Sequence, residues 1–265
     1  MAEQVSAGGM TGWEQAVGLY TILRKEARRI LRIWVQTIVP PAITMSLYFI
    51  IFGQLRERIG SMSGFDYTQF IAPGLILMSV ITNSYGNVVS SFFSAKFQRH
   101  LEEMLVSPLP NYVIILGHAA GGVMRGLIVG LIVTTVAMGF TDLEIRYPLI
   151  VVFTLFCTAI TFSLGGMINA IFARKFDDVS LIPAFVLTPL TYLGGVFYSV
   201  DLLPGIWRTL SLFNPILYMI NAFRYGMIGT TDVDLNTAFV MMGVFVFVLF
   251  GVCAVLIRKG VGIRE

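Results

Sequence analysis

Few side chains in this sequence could carry out covalent chemistry. Its 265 residues include only two histidines and two cysteines, and they contain no HExxH, GxSxG or GxxxxGK[ST] pattern. Cys157 and Cys253 lie in different apolar runs without a CxxC spacing, so we interpret them as small buried hydrophobes and expect no metal site. Arg125 is the exception, because a cation inside a long apolar run could bind an anionic group. The sequence therefore offers few candidate catalytic residues, and an enzyme is a weak interpretation.

Composition places the chain in a membrane. It is 56% hydrophobic and 12% charged, and its mean hydropathy is +0.81. A soluble domain usually has about 25% charged residues, and one core of this size could not hide so much apolar surface. The sequence therefore predicts an all-α, polytopic membrane protein.

Six uncharged or nearly uncharged runs are long enough to cross a hydrocarbon core of about 30 Å as helices. The predicted spans are about 33–53, 70–93, 111–140, 148–172, 180–200 and 235–257. None contains Asp or Glu, and only His118 and Arg125 interrupt the third. Ion-coupled carriers usually need intramembrane carboxylates, so a secondary carrier is the weaker alternative.

The basic residues predict the orientation of these spans. If the termini are cytoplasmic, twelve basic side chains lie inside: Arg24, Lys25, Arg28, Arg29, Arg32, Lys96, Arg99, Arg174, Lys175, Arg258, Lys259 and Arg264. Five lie outside: Arg56, Arg58, Arg146, Arg208 and Arg224. Cytoplasmic loops carry the excess of Lys and Arg, so both termini are predicted to be cytoplasmic.

Two further regions are predicted to be helical without crossing the membrane. Apolar residues recur at helical spacing over 11–32, after a tail at 1–10, with basic residues mostly on other faces. This favours an amphipathic elbow helix in the membrane interface over a short soluble helix. Between the last two spans, the region 201–232 contains an apolar stretch too short to cross. Its prolines predict two short helices forming a re-entrant hairpin on the outer side.

A charged segment at about 96–106 separates the second and third spans, on the predicted cytoplasmic side. Its apolar residues Phe97, Leu101, Met104 and Leu105 follow helical spacing, whereas Arg99, Glu102 and Glu103 point elsewhere. This pattern favours a helix that docks on a soluble partner. A solvated loop at the membrane surface is the alternative.

The third span combines small residues with a charge. Gly122, Gly126 and Gly130 recur every fourth residue, which predicts close helix packing within the protomer or across a dimer. Arg125 lies beside this stripe. Asn83, Asn87 and Asn169 side chains, carbonyl groups, water, or an anionic group on a substrate or lipid could each satisfy its charge, so a structural role and a substrate contact both remain open.

The stretch LTPLTYLGGVFYSVDLLPGIWRTLSLFNPILYMINAFR, residues 187–224, resembles the signature of the ABC-2 family of membrane permeases. The residues that match it include Leu187, Leu190, Gly194, Pro204, Pro215, Tyr218 and Arg224. The resemblance covers nearly the whole chain, including RIWVQTIVPP, KFQRHLEEML and FDDVSLIPAF, and assigns residues 33–265 to an ABC-2 transmembrane domain of the type V exporter class.

This resemblance implies a transporter subunit of a bacterial inner membrane, surrounded by lipid and without a nucleic-acid partner. Two copies of the chain would form the substrate path as a homodimer, driven by two copies of a separate ATPase. ATP and Mg²⁺ would be bound by that ATPase, and this chain would need no cofactor. The segment Phe97–Leu105 would rest on the ATPase as a coupling helix. The expected cargo is a hydrophobic or amphiphilic drug or lipid, with a polysaccharide or glycolipid as the alternative.

Overall fold

The computed structural model describes residues 10–262, and within them the fold is almost entirely helical. The helices are α1 Gly12–Arg32, α2 Trp34–Ile59, α3 Tyr67–Phe97, α4 His100–Val106, α5 Asn111–Met138, α6 Pro148–Phe172, α7 Phe176–Ile182, α8 Thr188–Leu193, α9 Gly205–Leu212, α10 Pro215–Ile228 and α11 Leu235–Lys259. Two short antiparallel strands, β1 Ser61–Met62 and β2 Phe65–Asp66, join α2 to α3. Most of the predicted N-terminal tail, residues 1–9, lies outside the described part.

Five helical stretches in the described part are long and apolar enough to cross a membrane. They are Trp34–Leu55, Asn111–Met138, Pro148–Phe172, Phe176–Leu193 and Leu235–Lys259. This agrees with the prediction of a helical, polytopic protein, and five of the six predicted spans overlap these stretches.

The remaining predicted span, 70–93, falls within α3, which is not among the five. Its 31 residues are long enough to cross, but polar side chains such as Gln69, Asn83 and Asn87 lower its mean hydropathy. Most α3 side chains are buried between α5, α6 and other elements. The polar residues of α3 can therefore be accommodated by contacts within the protein.

The predicted span 180–200 has different bounds in the structure. It consists of α7, a π-helical turn at Pro183–Leu187 and α8, and it ends at Leu193. Gly195 follows with a φ of +77°, a left-handed conformation that favours glycine and turns the chain out of the helix. The prediction of continuous helix to Val200 was therefore wrong.

The glycine stripe of α5 packs within the protomer. A Cβ at Gly122 would lie 2.9 Å from the carbonyl oxygen of Ser84 in α3, and one at Gly130 would lie 2.8 Å from a Val80 methyl group. A Cβ at Gly126 would collide with the Ser84 hydroxyl. The absence of side chains at these glycines therefore lets α3 and α5 approach closely.

Gly122→Ala is expected to lower the free energy of unfolding by about 1–3 kcal/mol, because the new Cβ overpacks this contact. The matched control is Gly243→Ala in α11, where a Cβ would meet nothing within 4 Å. The control should be neutral or slightly stabilising, since alanine favours helix. Thermal unfolding of both variants in detergent measures the difference, and equal midpoints would contradict the packing role.

Candidate functional site

A pocket of about 350 Å³ lies between α2, α3 and α5, at the level of the predicted spans. Its polar lining consists of Gln36, Thr44, Ser79, Thr82, Asn83 and Arg125. Its apolar lining consists of Pro40, Pro41, Met45 and Met78. We call this space the Arg125 pocket, since Arg125 is its only charged lining residue among those the structure describes.

The three amide side chains considered as partners for Arg125 each donate a hydrogen bond to another group. Asn83 donates through Nδ2 to the Ser79 carbonyl at 3.0 Å, and Asn169 donates to the Val179 carbonyl at 3.1 Å. Asn87, the third side chain offered as a partner of Arg125, is fully buried and does not line the pocket. The Arg125 Nε atom is buried without a hydrogen-bond partner in the described chain. The hydrogen bonds of the described residues include none from Arg125 to these amides, so the sequence alternative in which they satisfy the charge is not supported.

Asn87 instead belongs to a buried polar cluster that joins α1 to α3 and α5. At its centre is Glu26, which is fully buried and accepts a hydrogen bond from Arg29 Nη2 at 3.0 Å. Ser91 also donates to the Glu26 carboxylate, and Asn87 Nδ2 does so at 3.4 Å. Arg29 in turn donates to Asn87 Oδ1 at 2.8 Å. We call these four residues and the adjacent His118 the Glu26 cluster.

His118 closes the cluster on the α5 side. Its Nδ1 atom is 3.7 Å from Glu26 Oε1 and 3.3 Å from the Ser91 hydroxyl. Two further glycines of α5 make room for α1, because a Cβ at Gly121 would lie 2.7 Å from Glu26 Cγ and one at Gly117 would lie 2.6 Å from Ile22. α1 is thus held in place by small residues together with a buried charge.

The sequence interpretation missed this cluster and placed Arg29 against lipid headgroups. Ile22, Glu26 and Ile30 are spaced four residues apart and form the buried face of α1. That spacing could have revealed the cluster, because an acidic residue between two apolar ones on a buried helix face needs a cation or hydrogen-bond donors to pair with it. The exposed apolar residues of α1, Trp13 and Tyr20 among them, lie on other faces.

The segment predicted as a coupling helix is built from two elements. α3 continues through Phe97, Arg99 adopts a left-handed φ of +62°, and α4 covers only His100–Val106. Leu101 is fully buried in the protein core, and Met104 and Leu105 pack against that core. The predicted single apolar face for a partner was therefore wrong, because most of its members face inward.

The exposed part of this segment is mainly charged. Phe97, Arg99, Glu102 and Glu103 are exposed, and three of them line a shallow pocket of about 200 Å³ with Lys96 and Arg174. Lys96 also donates to the carbonyl groups of Ile171 and Ala173, each at 2.7 Å. The segment is thereby fastened to the end of α6 while its charged side chains stay accessible.

The signature residues gather around α10. Arg224 is fully buried, donates to the Gly195 carbonyl at 2.5 Å and the Phe70 carbonyl at 3.4 Å, and lies 3.9 Å from the centroid of the Phe70 ring. Its Nη1 atom is 3.9 Å from Asp232. Burial lowers the pKa of Arg224 to about 10, and Asp232 opposes this shift, so the guanidinium stays charged at neutral pH.

The other signature residues shape the turns next to Arg224. A Cβ at Gly194 would lie 2.8 Å from Ile216, and Pro215 begins α10. Tyr218 donates to the Leu212 carbonyl at 2.8 Å, and Pro204 precedes α9. Leu187 and Leu190, with Pro215, line a second, apolar pocket of about 320 Å³. In this structure most of the signature residues therefore surround α10 and the turns that lead into it.

Comparisons with known proteins agree with this architecture. The family profile described as ABC-2 type transporter matches residues 17–228. The chain is 57% identical to "Inner membrane transport permease YadH" of Escherichia coli (strain K12) over 250 residues, which cover 94% of this chain and 98% of that protein.

More distant relatives match a shorter region. The chain is 27% identical to "Nodulation protein J" of Rhizobium leguminosarum bv. trifolii over 209 residues, covering 77% of this chain and 79% of that protein. It is 24% identical to the protein of the same name from Rhizobium meliloti (strain 1021), with the same coverage. From the helical architecture, the family match and the identity to a named permease, we conclude that the chain belongs to the ABC-2 type transporter family and is a multi-pass transport permease of the inner membrane.

Proposed function

We propose that this chain is the membrane subunit of an ATP-driven exporter and forms its substrate path as a homodimer. The observation that carries the proposal is the polar surface at membrane level. Gln36, Thr44 and Thr82 are exposed next to the Arg125 pocket. Polar groups facing hydrocarbon are costly, so this surface is best accommodated by a second copy and a substrate path.

In the proposed topology α3 crosses the membrane in addition to the five stretches given above, which makes six spans. Both termini are cytoplasmic. α1 acts as the elbow helix, with Trp13 and Tyr20 78% and 62% exposed and available to the membrane interface. α9 and α10 form the outer re-entrant hairpin. The excess of basic residues in α1, after α6 and in the last turn of α11 supports this orientation.

ATP would be bound and hydrolysed, with Mg²⁺, by two copies of a separate ATPase beneath the dimer. The coupling surface would be the exposed Phe97, Arg99, Glu102 and Glu103. Leu101, Met104 and Leu105 would anchor it, because they pack inside the chain. Movement of the ATPase subunits would then reach α3 and α6, which share the Lys96 contacts.

The proposed cargo is a hydrophobic or amphiphilic molecule, such as a drug or lipid. The apolar walls of both pockets favour this class. A polysaccharide or glycolipid remains the second candidate, because exposed aromatic side chains such as Tyr192 and Phe185 could also stack on sugars.

Reconstitution in vesicles tests the proposal. With a partner ABC ATPase reconstituted alongside this chain and ATP supplied outside the inverted vesicles, we expect uptake of amphiphilic dyes that is insensitive to collapse of the proton gradient. Uptake by this chain alone would contradict the exporter function, and loss of uptake on collapse of the gradient would indicate a secondary carrier.

Glu102→Lys tests the coupling surface. Reversing an exposed charge should lower ATPase co-purification and ATP-driven transport about tenfold, equivalent to about 1.4 kcal/mol of binding energy, without changing thermal stability. The control is Glu144→Lys, an exposed charge in the loop between α5 and α6 at the opposite end of the bundle. Retention of both co-purification and transport in Glu102→Lys would rule out this surface.

A further inference from the structure

We propose that the Arg125 pocket binds the anionic headgroup of an amphiphile, through a phosphate, sulfate or carboxylate group. The part of this proposal that concerns the substrate rests on the exporter function proposed above, because in an exporter such a headgroup would define the class of substrate. The binding itself depends only on the pocket.

The first argument is charge. Among the residues whose side chains the structure describes (10–55 and 60–262), Arg125 is the only charged group that lines the pocket. The nearby carboxylate of Glu26 is already engaged by Arg29, Asn87 and Ser91. A guanidinium at membrane depth is unfavourable without a counter-charge, so the site is selective for an anion.

The second argument is the supply of hydrogen-bond donors. Thr82 donates to the Met78 carbonyl at 2.9 Å, Ser79 to Leu75 at 3.1 Å, and Asn83 to Ser79. These side chains are therefore committed to the backbone of α3. Gln36 and Thr44 on α2 add neutral polar groups to the lining. Arg125 supplies the charged donor, and the planar fork of its guanidinium matches the oxygen spacing of a carboxylate or phosphate.

The third argument is the shape and polarity of the walls. Pro40, Pro41, Met45 and Met78 contribute apolar surface to the lining of the pocket, beside its polar residues. A free inorganic anion would gain nothing from these walls, whereas the hydrocarbon next to a headgroup would be buried against them. The combination points to an amphiphile entering from the bilayer or from between two copies.

Binding is tested on the purified full chain in neutral detergent, without ATP or an ATPase. Dodecyl phosphate is titrated against the wild type, Arg125→Gln and Arg125→Lys, with dodecylphosphocholine and inorganic phosphate as comparison ligands. The control variant is Arg208→Gln, an exposed cation of α9. Native mass spectrometry reports bound ligand, and size-exclusion chromatography checks that each variant is folded.

We expect the wild type and Arg208→Gln to bind dodecyl phosphate at least tenfold more tightly than Arg125→Gln, with Arg125→Lys between them. Dodecylphosphocholine and inorganic phosphate should bind weakly to every variant. Equal binding to the wild type and Arg125→Gln would overturn the proposal, as would equal affinity for inorganic phosphate. If Arg125→Gln does not fold, the Arg125→Lys comparison and the choice among the three ligands still decide the question.

Extraction of lipids from protein purified from its native membrane separates the two sources of ligand. A bilayer phospholipid such as phosphatidylglycerol, present with the wild type and absent with Arg125→Gln, would identify a membrane lipid. A different anionic amphiphile with the same dependence would identify a cargo. Wild-type protein that binds dodecyl phosphate and yet transports nothing with its ATPase would refute the exporter function and leave the pocket intact.

Discussion

Arg224→Ala is expected to remove about 3–5 kcal/mol of stability, because it breaks a fully buried set of charged interactions. The guanidinium joins α10 to Gly195, to Phe70 in α3 and to Asp232. Its loss leaves the Asp232 carboxylate, only 6% exposed, without its counter-charge. Since proteins have a total stability of about 5–15 kcal/mol, we expect a strong loss of folded protein in detergent.

Arg208→Ala in the preceding helix α9 is the matched control. Arg208 pairs with Asp201 at 2.9 Å, but the two side chains are 55% and 61% exposed, so the change should cost about 0–1 kcal/mol. Arg224→Lys should rescue little, since an ammonium group lacks the fork that reaches two carbonyl groups. The double variant Arg224→Met with Asp232→Asn should recover part of the stability. Thermal unfolding that does not distinguish Arg224→Ala from Arg208→Ala would disprove this role.

Glu26→Ala is expected to release α1 from the bundle, at a cost of about 3–5 kcal/mol. The substitution leaves Arg29 beside Asn87 without its buried counter-charge and removes the acceptor for Ser91. The measurable result is faster chymotryptic cleavage within α1, at residues such as Tyr20 and Leu23 that every variant keeps, and a lower midpoint of thermal unfolding.

A double-mutant cycle measures the interaction between Glu26 and Arg29 apart from the contacts that each residue makes with its other neighbours. Glu26→Gln and Arg29→Gln are each expected to be destabilising, and the double variant should cost less than the sum because neither charge remains unpaired. Arg28→Gln, an exposed residue of the same helix, is the control and should match the wild type. If cleavage of α1 were the same in Glu26→Ala and Arg28→Gln, the cluster would have no anchoring role.

Features determined by local sequence were predicted well. Pro148 starts α6 at the predicted residue, because proline suits the first helical turn. Thr11 and Glu14 form the capping box that starts α1, next to the predicted boundary at residue 11. The long apolar runs of the sequence also predicted the approximate positions of the five candidate spans. These signals lie within a few residues of the element they define.

Features that depend on contacts between distant helices were not predictable in the same way. The sequence identified Arg125 as an uncompensated charge, but the pattern could not show that Asn87 turns away to pair with Arg29. The sequence pattern also could not show that the backbone of Arg99 adopts a left-handed conformation, which separates α3 from α4. Helical spacing suggested that Leu101 was available to a partner, although residues from other helices bury it.

The stretch from α7 to α8 is short for a helix that crosses a bilayer. Its 18 residues would rise about 27 Å at 1.5 Å per residue, which is less than a hydrocarbon core of about 30 Å. Lipid commonly adapts to such a mismatch by thinning next to the protein. The bilayer around Phe176–Leu193 is therefore expected to be locally compressed, which would shorten the distance that an amphiphile must travel from one leaflet to the other.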